Sequence, residues 1–163
     1  MSEKFIEYLI QAEKNLHIAS HMAYVTVQLI RDKKLLLKIL SETHLATLNI
    51  INSVLQHDYI YKKIRLTKDA KTNLRIFIEK SAPRYQITEQ ETKLILELIS
   101  LAEKHKQSPF EFVKDNKVVI LSNNLKTETI NLEKLKEFIT TTKSILDKVK
   151  SNLSEKYKNS VSV

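Results

Sequence analysis

The 163-residue chain contains no glycine, although average usage of about 7% would supply roughly eleven. Glycine is the residue that adopts positive φ angles readily and lets the backbone approach a ligand closely. The Walker phosphate loop, the dinucleotide-binding turn, the kinase glycine-rich loop, the nucleophile elbow and the EF-hand loop all require it. The sequence therefore excludes these classes of site and favours a mainly helical fold.

Composition favours one domain. A hydrophobic content of 42% supports a single buried core, and we expect one helical-bundle domain over residues 1–153 with a polar, frayed tail at 154–163. The absence of cysteine excludes disulfides and thiolate zinc sites and fits a reducing cytosol. No apolar run approaches the roughly 18 residues of a membrane span, and the first residues do not resemble a signal peptide. We therefore expect a cytoplasmic protein without a membrane partner.

Apolar residues recur at steps of three and four in five segments, which is the spacing of amphipathic helices packed against one another. The second segment is apolar nearly all round, so we expect it at the centre of a bundle. The short break before it predicts an antiparallel helical hairpin with the first. The predicted helices span residues 3–30, 34–61, 67 or 68 to 82, 88 to beyond 102, and 131 to about 153.

Capping and turn signals complete the fold prediction. Thr88 with Glu91 forms a capping-box signature, and Asn131 is suited to cap the last helix. The similar signature at 108–111 predicts only a short turn. Residues 118–130 combine a β-favouring run, two asparagines at 123–124 suited to a tight turn, and a second short strand. The predicted fold class is mainly α: an antiparallel bundle of about five helices with a small β-hairpin at about 118–130 before the last helix.

The net charge of +8 is concentrated in one stretch of the chain. Residues 62–84 contain eight basic and two acidic side chains, and Lys68, Lys71 and Arg75 recur there at the spacing of one exposed helical stripe. Such a patch favours a polyanionic partner, RNA or DNA before an anionic membrane. The alternative is a lysine-rich solvated face without a partner. The eight cations are Lys62, Lys63, Arg65, Lys68, Lys71, Arg75, Lys80 and Arg84.

Tyrosines are interleaved with these cations. Tyr59 and Tyr61 precede Lys62 and Lys63, and Tyr85 follows the next helix. Aromatic faces stack on unpaired bases while cations hold the phosphates, so the pattern favours single-stranded nucleic acid. The alternative is that these tyrosines are half-buried packing residues. The predicted nucleic-acid-binding residues are Tyr59, Tyr61, Lys62, Lys63, Arg65, Lys68, Lys71, Arg75, Arg84 and Tyr85.

A histidine row on the first helix suggests a different chemistry. Glu13, His17 and His21 follow one another at steps of four, and His44 or His57 of the next helix would supply a further metal ligand. The chain has neither a Glu-x-x-His nor a His-Glu-x-x-His pattern, and such a row is also typical of a polar flank beside a helix seam. We predict no metal, no cofactor and no catalytic residue. The alternative metal set is Glu13, His17, His21 and His44.

A polar strip interrupts the apolar second helix. It comprises Asn49, Asn52, Ser53 and Gln56. Carboxamides are able to hydrogen-bond the edges of bases, which would give the strip a role in reading a nucleotide. The alternatives are the solvent-facing edge of the helix and a polar contact within a dimer.

The long first hairpin, AEKNLHIASHMAYVTVQLI followed by ETHLATLNIINSVL, resembles the HEPN superfamily of helical bundles over residues 5–105. Ribonucleases of that superfamily carry an arginine followed, after four to six residues, by a histidine. Arg31, Arg65, Arg75 and Arg84 all lack a histidine at that offset, so the resemblance implies a non-catalytic member. HMAYVT, KLLLKIL and SPFEFVKDNKVVIL are also similar to uncharacterised lysine-rich archaeal proteins, a resemblance that implies no activity.

These patterns together predict a non-enzymatic cytosolic binding protein whose basic face contacts RNA or another polyanion. Two alternatives stay open. One is a metal-dependent helical-bundle enzyme that uses the histidine cluster, and the other is a protein–protein interaction module or homodimer.

Overall fold

The computed structural model describes residues 4–30, 32, 34–108, 110–114, 117–121 and 126–153. Within these residues, five helices and one small sheet form the fold, which confirms the mainly α class. The predicted tail at 154–163 lies outside the described residues. In the described part of the chain, no helix combines the length and the apolar character that crossing a bilayer requires. The helices are α1 at Lys4–His21, α2 at Lys34–Ile60, α3 at Ala70–Ile76, α4 at Glu89–Gln107 and α5 at Leu132–Asn152.

Two helices continue beyond their α-helical part through a π-helical turn. α1 runs on through Met22–Thr26 and a last α-helical turn at Val27–Leu29. α3 runs on through Phe77–Ser81 into a 3-10 turn at Ala82–Tyr85. Both irregular helices match segments that helical spacing predicts as single helices.

α1 and α2 pack against each other as an antiparallel pair. The Ser53 hydroxyl donates to the Phe5 carbonyl at 2.6 Å, and Asn49 Nδ2 donates to Asn15 Oδ1 at 2.9 Å. α2 also contacts α4 and α5, which confirms the central position that its apolar circumference predicts. The buried core includes Leu9, Leu16, Ile39, Leu40, Ile50, Val54, Leu98, Phe138, Ile145 and Val149.

Side-chain caps begin three of the helices. The Thr88 hydroxyl accepts the Glu91 N–H at 3.1 Å while the Glu91 carboxylate accepts the Thr88 N–H at 3.0 Å, so the predicted capping box is present. Asn131 caps α5 as predicted. Asp69 caps α3 by accepting the Thr72 N–H, and the helix therefore begins slightly later than its spacing predicts.

The sheet contains one strand more than the sequence predicts. β1 at Phe110–Lys114, β2 at Lys117–Leu121 and β3 at Thr127–Ile130 pair antiparallel in the order β1-β2-β3. β2 and β3 form the predicted hairpin, although the predicted turn at Asn123–Asn124 lies outside the described residues. The short turn expected at 108–111 is wrong, because its last two residues pair with β2 instead. A capping signature involves only four consecutive residues, so it does not indicate that this segment pairs with β2.

Among the described residues, two adopt left-handed backbone angles. Lys62 has a φ of 58° and Gln86 a φ of 59°. Glycine is the usual residue at such positions because other residues are strained there by about 1–2 kcal/mol. Lys62 follows α2 and Gln86 ends the 3-10 turn, so both sit where the chain changes direction around α3.

Candidate nucleic-acid interface

Residues 62–84, which we call the basic segment, comprise the loop after α2, then α3 and the two turns that follow it. All eight predicted cations of this segment are exposed. Arg84 is paired with Asp58. Within the described residues, the other seven have no ion-pair partner. The basic segment therefore presents to solvent seven cations without an ion pair, against the two carboxylates of Asp69 and Glu79.

Several lysines of α4 and α5 are neutralised by ion pairs. On α5, Lys134, Lys143, Lys148 and Lys150 each pair with a carboxylate. Lys104 of α4 pairs with a carboxylate of β3. Because cations without ion pairs raise the local potential that attracts an anionic partner, the basic segment differs from the surface of α5 in more than composition.

The predicted stripe of cations is shorter than expected. Lys71 and Arg75 lie one turn apart on α3 and share a face of the helix. Lys68 precedes the capping residue Asp69 and lies in the loop, so it does not belong to the helical stripe. The expectation of three cations along one helical row is wrong, although all three side chains are exposed.

Two of the predicted tyrosines are available to a ligand. The side chains of Tyr59 and Tyr61 are 52% and 45% exposed. The Tyr61 ring lies against the His57 ring, with centroids 4.6 Å apart, and the His57 ring in turn meets Phe5 edge-on at 5.1 Å. Tyr61 thus packs against the core through the His57 ring and remains partly exposed to solvent.

Tyr85 does not belong to the interface. Its side chain is 4% exposed, and its hydroxyl donates to Asp58 Oδ1 at 3.1 Å. Burial, together with the nearby Asp58 charge, raises the pKa of Tyr85 well above its ordinary value, so the hydroxyl stays neutral and donates. The prediction that Tyr85 stacks on a base is therefore wrong, because the 3-10 turn directs its ring into the core.

Asp58 contacts several of the residues around the basic segment. It is completely buried at the end of α2. Ser81 Oγ and Arg84 Nη2 donate to its Oδ2 at 2.7 and 2.6 Å, and His57 Nδ1 lies 3.0 Å from its Oδ1. Burial acts to raise the pKa of Asp58, but the hydrogen bonds from His57, Ser81 and Tyr85 and the Arg84 charge outweigh it and hold that pKa below its usual value.

The same residue fixes both ends of the basic segment. The Asp58 carbonyl accepts the Lys63 N–H at 2.8 Å, and its carboxylate binds Ser81 and Arg84 at the far end. The two ends of the segment are therefore clamped to the last turn of α2. This arrangement fixes the positions at which the backbone of the basic segment begins and ends.

The alternative metal set is not assembled. Glu13 and His17 border a pocket against α5, whereas His44 lines a groove on the side of α4. His21 is exposed on α1. Among the described residues, no group of three or more histidine, cysteine, aspartate or glutamate side chains is placed to hold a metal ion. Spacing on one helix aligns these residues in a row, but it does not bring the second helix's histidine to the same side.

Comparisons of the chain with protein-family models, with curated proteins and with solved structures found no match. Function is therefore inferred from the residues and contacts of the chain itself.

Proposed function

We propose that this protein is a non-enzymatic cytoplasmic protein that binds single-stranded RNA through the basic segment and the tyrosines beside it. The observation that carries the proposal is the set of seven exposed cations without an ion-pair partner in the described part of the chain, next to the exposed rings of Tyr59 and Tyr61. Phosphates would neutralise the cations and unpaired bases would stack on the rings. These contacts do not read base edges, so they give affinity with little sequence preference.

The HEPN resemblance is part of the same proposal. A bundle of that kind without the arginine–histidine nuclease motif would hold RNA without cutting it. Labelled RNA incubated with the protein should stay intact on a denaturing gel. Cleavage that follows the protein through purification would instead show that the chain is an enzyme.

Fluorescence anisotropy with a labelled oligonucleotide at several salt concentrations tests the cations. Replacing Lys68, Lys71 and Arg75 by glutamine should weaken binding and make the log–log salt slope shallower by up to about 0.7 for each phosphate that the variant no longer neutralises. A matched control replaces three exposed lysines on other elements by glutamine, namely Lys14, Lys38 and Lys93. It removes the same net charge and should bind nearly as the wild type does. If both variants or neither lose affinity, the basic segment is only a solvated face, and the protein-interaction alternative takes precedence.

The tyrosines are tested in the same titration. Tyr61→Ala should weaken binding with little change in salt slope, because a stacking contact releases no counterion. Tyr24→Ala is the matched control, since Tyr24 is 48% exposed on the π-helical continuation of α1 and its ring contacts Lys136 of α5, outside the basic segment. Unchanged affinity in Tyr61→Ala would remove stacking from the proposal and leave only the electrostatic part.

A further inference from the structure

A groove of about 420 Å³ lies beside the basic segment, bordered by α2, α3 and α4 and by Tyr8 of α1. This volume is within the range of small-ligand sites, about 300–1,000 Å³. Residues 66–74 of the basic segment form one wall of the groove, so the groove opens along the face that we propose for RNA. Its apolar lining includes Leu48, Ile51, Leu55, Leu66, Leu74 and Ile99.

One largely buried histidine of the groove forms no hydrogen bond to the described residues. His44 is 4% exposed and lines the groove, and none of the hydrogen bonds among the described residues involves its ring. Because no fully buried side-chain nitrogen or oxygen of the described residues lacks a hydrogen-bond partner, the ring nitrogens of His44 are open to the groove. Burial, and then the nearby charge of Lys106, lower the pKa of His44 to about 4. At neutral pH the ring is therefore uncharged and offers one donor and one acceptor.

Further polar groups surround this histidine. Asn52 and Gln56 lie one turn apart on α2, line the groove and have no hydrogen bond within the described part of the chain. Asn73 also lines the groove, but its amide is occupied by Thr67. The polar strip singled out in the sequence is thus divided, because Asn49 and Ser53 hydrogen-bond α1 while the other two members face the groove.

The charged residues of the groove are mostly cationic. Lys71 of α3 and Lys106 of α4 line it and are exposed, together with the single carboxylate of Glu103. Lys71 is also one of the cations of the basic segment. A ligand that suits this lining has a flat apolar body, donors and acceptors along its edge, and an attached anion.

We propose that the groove binds one unpaired nucleotide of the RNA strand, with the base between the aliphatic side chains and its edge at His44, Asn52 and Gln56. The nucleotide's phosphate lies toward Lys71 and Lys106. This inference rests on the proposed function and adds to it a site that reads a base. A base at this site is selected by hydrogen bonds, which stacking on Tyr59 and Tyr61 does not require.

Titration with AMP and UMP, with ribose 5-phosphate as the control that lacks a base, tests the groove directly by NMR. The mononucleotides should shift resonances of the groove residues, and ribose 5-phosphate should not. Asn52→Ala with Gln56→Ala changes only side chains that have no hydrogen bond to the described residues, so the fold is retained. This double variant should weaken both mononucleotide and RNA binding about tenfold without changing the salt slope. His44→Leu should act in the same direction.

The outcomes separate this inference from the proposed function. RNA binding that depends on the basic segment but is unchanged in both groove variants would overturn the groove site and leave the proposed function standing. Mononucleotide binding that the groove variants abolish, with no RNA binding by the wild type, would overturn the proposed function and keep the groove as a nucleotide site. Equal shifts from AMP and ribose 5-phosphate would show that only the lysines bind, which overturns the base site.

Discussion

The contacts that join Asp58 to Lys63, Ser81 and Arg84, which we call the clamp, tie both ends of the basic segment to α2. Replacement of Asp58 by asparagine tests the clamp most directly. Each carboxylate oxygen is shared by two groups: Oδ2 accepts from Ser81 and Arg84, and Oδ1 accepts from Tyr85 and faces His57. Asparagine has the same shape but only one acceptor oxygen. In either orientation of the amide, its NH₂ group faces one of the two pairs of residues, Ser81 with Arg84 or Tyr85 with His57.

The expected loss of stability follows from that geometry. A buried hydroxyl left without its acceptor costs about 1–3 kcal/mol. The pairing with Arg84 adds little, because that side chain is 36% exposed and exposed ion pairs contribute about 0–1 kcal/mol. The two effects together lower the free energy of unfolding by about 1–4 kcal/mol. For a chain of this length, the melting temperature should fall by about 2–16 °C.

Urea denaturation followed by circular dichroism measures this change. Asp69→Asn is the matched control, because it removes one carboxylate from an exposed cap where asparagine serves equally well, and it should leave stability unchanged. The depressed pKa of Asp58 means that its stabilisation is present above pH 3.8 and is lost as the pH falls through the lower folded-state pKa. Wild type and Asp58→Asn should therefore converge in acid. A loss no larger than that of Asp69→Asn at pH 7 would refute the clamp.

Two further predictions concern contacts at the start of α4 and α5. Burial acts to raise the pKa of Glu91, but hydrogen bonds from Lys148 and Ser144 outweigh it and lower that pKa to about 2. Glu91→Gln should therefore lower the free energy of unfolding by about 1–2 kcal/mol at pH 7, with the difference disappearing between pH 4.5 and about 2 in urea titrations at each pH. Asn131→Ala should lower the free energy of unfolding by about 1 kcal/mol through loss of the cap to Lys134, whereas Asn131→Asp should retain it in the same assay.

Short sequence motifs predict a helix correctly where residues close in sequence form its cap. The capping box at Thr88 and the cap at Asn131 are examples, since donor and acceptor are three residues apart. The strand β1 is missed because its hydrogen bonds go to β2, and the preceding serine and proline resemble a helix start. Strand pairing depends on both segments together, so the sequence of one segment alone does not reveal it.

The candidate site is predicted only in part. The cations of residues 62–84 are exposed as expected, but the burial of Tyr85 depends on an irregular turn whose direction no periodicity reveals. Asp58 has one usable signal. A carboxylate near the C-terminal end of a helix is disfavoured by the helix dipole, so its presence on an apolar helix indicates a positive partner, which is Arg84.

The π-helical turn at Phe77–Ser81 has a consequence for changes in chain length. A π-helical turn holds an additional residue, and each residue of an α-helix turns the chain by about 100°. Deleting one residue from the regular α-helical part of α3 would rotate everything after it by that angle, and Arg84 and Tyr85 would then point away from Asp58. Deleting one residue from the π-helical turn would instead convert it to an ordinary α-helical turn and leave the orientation of the following residues nearly unchanged. A single-residue deletion should therefore be accepted better at exposed positions of this turn, such as Glu79 and Lys80, than within Ala70–Ile76.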